Sequence, residues 1–63
     1  MIWVKGTIIS INLGGYNQWT DGIIVNSYYD ENEIPVVHVD FYGSVMFFTL
    51  SYWEYRVKTN MLY

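Results

Sequence analysis

Short runs of Ile, Val, Tyr, Phe and Trp, each cut off by a cluster of turn-forming residues, dominate this chain. The interruptions are Asn12-Leu13-Gly14-Gly15, then Asp30-Glu31-Asn32-Glu33 followed by Pro35, then Tyr42-Gly43-Ser44. β-branched and aromatic side chains suit a pleated, half-buried surface, whereas Gly, Asn and Asp adopt the backbone angles of turns. The pattern leaves no stretch for a long helix and predicts an all-β fold. Alternation is strictest in Val36-Val37-His38-Val39-Asp40-Phe41, where Val37, Val39 and Phe41 share one face and His38, Asp40 and Tyr42 the other. That is a strand with one wet side.

Four further strands follow from the same signals. The run Ile2 to Ile11 changes phase near Gly6, and a bulge there reconciles Ile2 and Val4 with Ile9 and Ile11. Trp19 to Tyr29 forms a second strand, with Ile23 and Val25 inward and a bend at Gly22. Ser44 to Thr49 pairs back across a tight turn at Gly43, and Tyr55 to Lys58 is a short closing strand. Ser51-Tyr52-Trp53-Glu54 has capping-box spacing, which predicts one helical turn before that last strand. In the tail, Thr59 to Tyr63, Met61, Leu62 and Tyr63 are apolar enough to dock. A small five-stranded barrel is the expected architecture, over a single domain of residues 1–63. Closure protects an edge segment such as Val45-Met46-Phe47-Phe48-Thr49-Leu50 from aggregation.

Size sharpens the problem. A chain of 63 residues buries only about 60% of its unfolded surface. With no cysteine, packing alone must hold it. Trp 3, Tyr 7 and Phe 3 supply more aromatic bulk than so small an interior needs, so some rings reach the surface. The 52% apolar content excludes disorder, and no apolar run approaches the roughly 18 residues of a membrane-spanning helix. Lys5 and Gly6 interrupt any signal-peptide core, and a cytoplasmic location is the expectation. A net charge of −3 works against attraction to nucleic acid or anionic lipid.

The segments Trp19-Thr20-Asp21-Gly22-Ile23-Ile24-Val25 and Val39-Asp40-Phe41-Tyr42-Gly43-Ser44-Val45, joined through the acidic turn Asp30 to Glu33, resemble the SH3-like small barrels and, within them, the Tudor-type domains. Leu50 to Glu54 stands at the family's closing helical turn, and the resemblance spans roughly residues 19–58. It implies a surface cage of aromatics for a methylated Lys or Arg side chain. Trp19 and Tyr42 match the cage walls, Phe41 matches a core position, and Ser44 replaces the family's Asn.

Catalytic chemistry is poorly supplied. Ser44, His38 and Asp40 are the residues from which a nucleophilic triad could be drawn, yet His38 and Asp40 are neighbours on one strand face and no elbow aims the serine. The same His38 and Asp40 fall short of the roughly four ligands of a structural metal site. Asp30 to Glu33 lacks the ligand spacing of a calcium loop and reads as a charged hairpin tip. A non-enzymatic role without cofactor or metal is the expectation.

Protein binding fits the composition best, because Tyr and Trp concentrate at interface hot spots. Phe41, Phe47 and Trp3 are assigned to the core. Tyr16, Trp19, Tyr28, Tyr42 and Trp53, in or beside turns, are assigned to an exposed aromatic surface, with Asp21, Asp40 and Glu54 as a carboxylate rim facing a basic partner. By analogy of size and fold, such domains serve as accessory or inhibitor proteins of phages and mobile elements. The alternative is a nucleic-acid-binding barrel that stacks bases on exposed rings. A homodimer would also relieve the surplus of apolar surface.

Overall fold

In the computed structural model, which describes residues 3–58, five antiparallel strands form one sheet. They are β1 (Ile8–Asn12), β2 (Trp19–Tyr29), β3 (Pro35–Phe41), β4 (Ser44–Thr49) and β5 (Tyr55–Val57), with a single 3-10 turn, Leu50–Tyr52, before β5. The first four strands run as a meander, and β5 returns to pair with β1, giving the order β4-β3-β2-β1-β5. The all-β architecture and the turn before the last strand agree with the sequence reading. The expected closure is absent: β4 and β5 are the two edges, and no ladder joins them among the described residues. The three residues of β5 are all paired with β1, through Ile9, Ser10 and Ile11.

One face of the sheet buries Ile9, Ile11, Ile24, Val37, Val39 and Phe48, with Leu50 from the 3-10 turn and with Trp3 and Phe41 packed against them. Aromatic rings in this layer meet edge to face, as their quadrupoles favour. Phe48 lies 5.9 Å from Phe41 and 5.0 Å from Trp53 between centroids. Val37, Val39 and Phe41 lie on the core side as the alternation of β3 requires.

Three expectations are corrected. The phase change near Gly6 is a tight turn, not a bulge: Thr7 N–H donates to Val4 C=O, and Gly6 takes φ +98°. β1 therefore begins at Ile8. The bulge lies instead in β2, between Ile24 and Asn26, which pair with consecutive residues Val39 and His38. Ile24 consequently faces the core while Ile23, expected inward, is 49% exposed, and Val25, also expected inward, is half-buried at the bulge itself. In β4 the paired Phe residues take the opposite assignment from the one expected: Phe48 is 2% exposed and Phe47 73%. Phe48 stands opposite Val37, a core residue, and Phe47 opposite His38 on the wet side.

The capping box does not form either. The 3-10 turn starts at Leu50 with no side-chain cap, and the Glu54 carboxylate accepts from Asn12 Nδ2 at 2.7 Å. Gly22 sits inside the sheet, where a Cβ would strike Val39 Cγ1 and the Phe41 ring. The expected docking of Met61, Leu62 and Tyr63 lies outside the described residues. Two substitutions separate the β4 faces. Phe48→Ala should destabilise by about 3–5 kcal/mol, enough to unfold much of a domain this small. Phe47→Ala in dilute solution should stay within about 0.5 kcal/mol of wild type. Urea unfolding followed by tryptophan fluorescence measures both.

Candidate functional site

The face opposite the core is built by register. Residues paired across neighbouring strands project to the same side, so Ile8, Ile23, Asp40 and Val45 form one row across β1 to β4. A second row places Arg56 beside Ser10 and Ser10 beside Asp21, and Asn12 faces Trp19. A third row brings Asn26, His38 and Phe47 together.

The β5-side half of this face is polar and internally paired. Lys58 Nζ lies 2.9 Å from Asp21 Oδ2, and the Arg56 guanidinium stacks 4.2 Å above the Trp19 ring. Lys58 first, and then a hydrogen bond from Ser10, hold the Asp21 carboxyl below the ordinary aspartate range. Asn12, 7% exposed, organises the β1–β2 loop. Its Oδ1 accepts the backbone N–H groups of Gly14, Gly15 and Gln18 at 3.1–3.2 Å. Trp19, Asp21 and Glu54 thus each have a partner within the chain.

The β4-side half is apolar and open. Tyr28, His38 and Phe47 form a ladder of rings, with centroids 5.5 Å apart from Tyr28 to His38 and 5.8 Å from His38 to Phe47. Tyr28 Oη and His38 Nε2 are 3.3 Å apart. Between the two halves lies a shallow cleft of about 310 Å³, lined by Ile8, Asp21, Gly22, Ile23, Asp40 and Tyr42. Ile8 and Ile23 give it an apolar floor, and Asp21 and Asp40 stand at its sides. Asp40 Oδ1 accepts the Gly43 N–H at 2.7 Å, which fixes the carboxylate against the β3–β4 hairpin.

That hairpin aims Tyr42. Tyr42 and Gly43 have φ of +56° and +97°, a two-residue type I′ turn. The second position is glycine, but the first carries a tyrosine in the left-handed region, which Asn, Asp or Gly occupies at lower energy. Its side chain is 94% exposed. Backbone strain of this kind clusters where a side chain is held for a function.

Of the residues singled out from sequence, Asp21, Asp40 and Tyr42 come together at the cleft. Trp19 and Glu54 belong to the same end of the sheet but not to the cleft lining. Tyr16, 89% exposed, lies in the β1–β2 loop. Tyr28 lies toward the opposite end of β2, and Trp53 is seated edge-on against Phe48. Ile8, Ile23, Val45 and Phe47 were not singled out; once the β2 bulge is placed, pairing parity finds all four. Among the described residues no three His, Asp or Glu side chains gather as metal ligands, and no helix is long and apolar enough to cross a membrane. Compared with known protein families, curated proteins and solved structures, the chain matches none.

Two measurements check this geometry. A carboxyl whose pKa is lowered by folding stabilises the fold above its unfolded pKa, and that contribution disappears as pH falls through the folded value. Asp21 should titrate below the ordinary aspartate range in a carboxyl-detected NMR titration, and Lys58→Met should move it upward. Replacing Asn12 by Ala strands three backbone donors and should cost about 2–4 kcal/mol, read from urea unfolding.

Proposed function

We propose that this chain is a non-catalytic protein-binding module whose outer-face cleft receives a basic side chain of its partner. The single observation carrying the reading is the cleft itself: an apolar floor, two carboxylates at its sides and an exposed tyrosine held in a strained conformation at its rim. A Lys or Arg side chain has a matching division, an apolar stem and a charged head. The stem lies on Ile8 and Ile23, the head meets Asp21 and Asp40, and the Tyr42 ring adds a cation–π contact. Lys58 already places an ammonium on Asp21, and its own half-exposed position leaves it free to yield to a partner's cation.

Electrostatics favour a protein over a nucleic acid. The chain has three Lys and Arg residues, of which Arg56 lies on Trp19 and Lys58 on Asp21, leaving Lys5 for phosphate. The meander, the 3-10 turn and the return of the last strand to β1 support the resemblance to SH3-like barrels. The proposal does not extend to a methyl-reading cage, because the Arg56 guanidinium covers the Trp19 ring that would form one wall.

Short Lys- and Arg-containing peptides, an acidic peptide and a single-stranded oligonucleotide, each titrated into labelled protein, test the reading by amide chemical shifts. Basic peptides should shift Gly22, Ile23, Asp40 and Tyr42, and Asp21→Asn/Asp40→Asn should weaken binding about tenfold or more. Shifts on this face with the oligonucleotide and none with basic peptides would establish the nucleic-acid alternative instead. The strain adds a sharper comparison. Glu33 also occupies the left-handed region, at φ +62° in the β2–β3 turn. Glu33→Gly and Tyr42→Asn should each stabilise the fold by about 1 kcal/mol. Only Tyr42→Asn should also reduce peptide binding.

A further inference from the structure

The two edges of the sheet are not alike. β5 is three residues long and carries Arg56, with Lys58 directly after it. Short length and basic side chains are the ordinary means of keeping an edge from pairing. β4 has neither. Its six residues, Ser44 to Thr49, include no charge and no proline, and no register shift interrupts its pairing with β3. Val45 and Phe47 are 58% and 73% exposed on the outer face, and Met46 is 48% exposed on the other. A ligand lying on one face would leave the other uncovered. A strand alongside β4 takes up its outward backbone groups and sets side chains beside Val45 and Phe47 on one face and beside Met46 on the other.

The backbone specifies how. Phe41 and Ser44 flank a two-residue hairpin turn and are therefore a hydrogen-bonded pair. Alternation along the ladder assigns the N–H and C=O groups of Ser44, Met46 and Phe48 to β3. Those of Val45 and Phe47, with the Thr49 N–H, point outward, toward an edge that no described strand covers, while the Thr49 C=O accepts the first bond of the 3-10 turn. An antiparallel copy of the same strand matches this set when Phe47 meets Phe47 on a two-fold axis and Val45 meets Thr49. Phe47 N–H and C=O, Val45 C=O and Thr49 N–H then find partners in the other chain, Val45 N–H shares the Thr49 carbonyl with the 3-10 turn, and no charge meets its like.

We propose that β4 is a homodimerisation edge, pairing antiparallel with β4 of a second copy to make one continuous ten-stranded sheet. A second copy is the occupant because the edge is complementary to itself in hydrogen bonding, and because an uncharged contact suits a chain of net charge −3 better than any contact through its carboxylates. Assembly stops at two. The pairing uses both β4 edges and leaves only the β5 edges with their basic residues, so the symmetry is closed. Directly paired residues share a face, so the two clefts lie on the same side of the dimer and its sheet presents two acidic sites together. The pairing itself stands without the cleft's ligand.

Sedimentation velocity across about 10 µM to 1 mM covers the range expected of a small interface. Wild type should pass from monomer to dimer, and Phe47→Lys, which sets two ammoniums at the axis, should remain monomeric with an unchanged circular dichroism spectrum. The chain has no cysteine, so a single introduced thiol reports position without background. Under oxidised glutathione, Phe47→Cys should form a disulfide-linked dimer, because hydrogen-bonded antiparallel partners have Cα atoms about 5.5 Å apart, within disulfide reach. Val45→Cys should not, since its two copies lie about 14 Å apart along the strands. A monomer at every concentration overturns the proposal, as does a dimer that survives Phe47→Lys or cross-links through residue 45 in preference to 47. Peptide binding by the monomeric Phe47→Lys variant would leave the cleft reading intact, so the two proposals fail separately.

Discussion

One extra residue in β2, between Ile24 and Asn26, decides which side chains of the longest strand meet the core. A strand alternates with period two, so a single inserted residue exchanges the faces of everything beyond it. On one side of the bulge Ile24 joins Val39 in the core, with Ile23 turned outward beside Ile8 and Asp40. On the other side Ser27 takes the core-facing position opposite Val37, and its hydroxyl donates to the Trp3 carbonyl at 2.7 Å. The bulge thus lets one strand serve two phases. It supplies the apolar floor of the cleft at one end and the Tyr28–His38 contact at the other.

Much of this architecture was legible in the residues, and what was not has a common cause. The turns announced themselves through Gly, Asn, Asp and Pro, and β3 announced its facing through Val37, Val39 and Phe41. Those signals are local. Facing elsewhere depended on pairing, which composition does not contain. Ile23-Ile24-Val25 and Met46-Phe47-Phe48 are apolar on both parities, so either phase satisfies the hydrophobic pattern, and only the partner across the ladder breaks the tie. Phe48 is inside because Val37 is, and Phe47 outside because His38 is. Closure failed for a related reason: the extent of β5 is a matter of pairing with β1, and among the described residues its short ladder leaves β4 as the far edge. At the cleft, Asp21, Asp40 and Tyr42 were legible as polar or exposed groups near turns. The apolar floor between them was not, because Ile8 and Ile23 read as ordinary core residues until register turned them outward.

Polar groups do a different job on each part of the outer face. Near the β1–β2 loop they are consumed by structure. Asn12 is buried and satisfied on every side, accepting from three loop amides and donating to Glu54. Such a fully connected polar centre specifies one loop conformation, whereas a partly connected one would be costly. Arg56 and Lys58 are likewise occupied by Trp19 and Asp21, an arrangement that contributes little stability at the surface but masks positive charge. The Lys58–Asp21 pair also cancels one of the two cleft carboxylates, so in the isolated chain Asp40 is the cleft's carboxylate without a cation beside it among the described residues. Tyr42 stands at the cleft rim at an energetic disadvantage that no core contact of its own offsets.

A single sheet has two faces, and among the described residues the hydrophobic core lies on one of them. The interior layer takes Phe41 and Phe48, which meet edge to face, with the rings of Trp3 and Trp53 at its margin. No helix lies over the opposite face among the described residues, so Tyr28, Tyr42, Val45 and Phe47 remain in water in the isolated chain. Exposed apolar surface that is contiguous, rather than scattered, is the property that separates binding surfaces from ordinary exteriors. Here it gathers on β2 and β4 to either side of His38 and Asp40 of β3 and ends at the β4 edge, while Arg56 and Lys58 lie at the β5 side of the same face. The aromatic surplus is thus divided by the same ladder that builds the fold: rings on the core parity close the interior, and rings on the other parity, with no described element over them, form the surface on which the proposed partner docks.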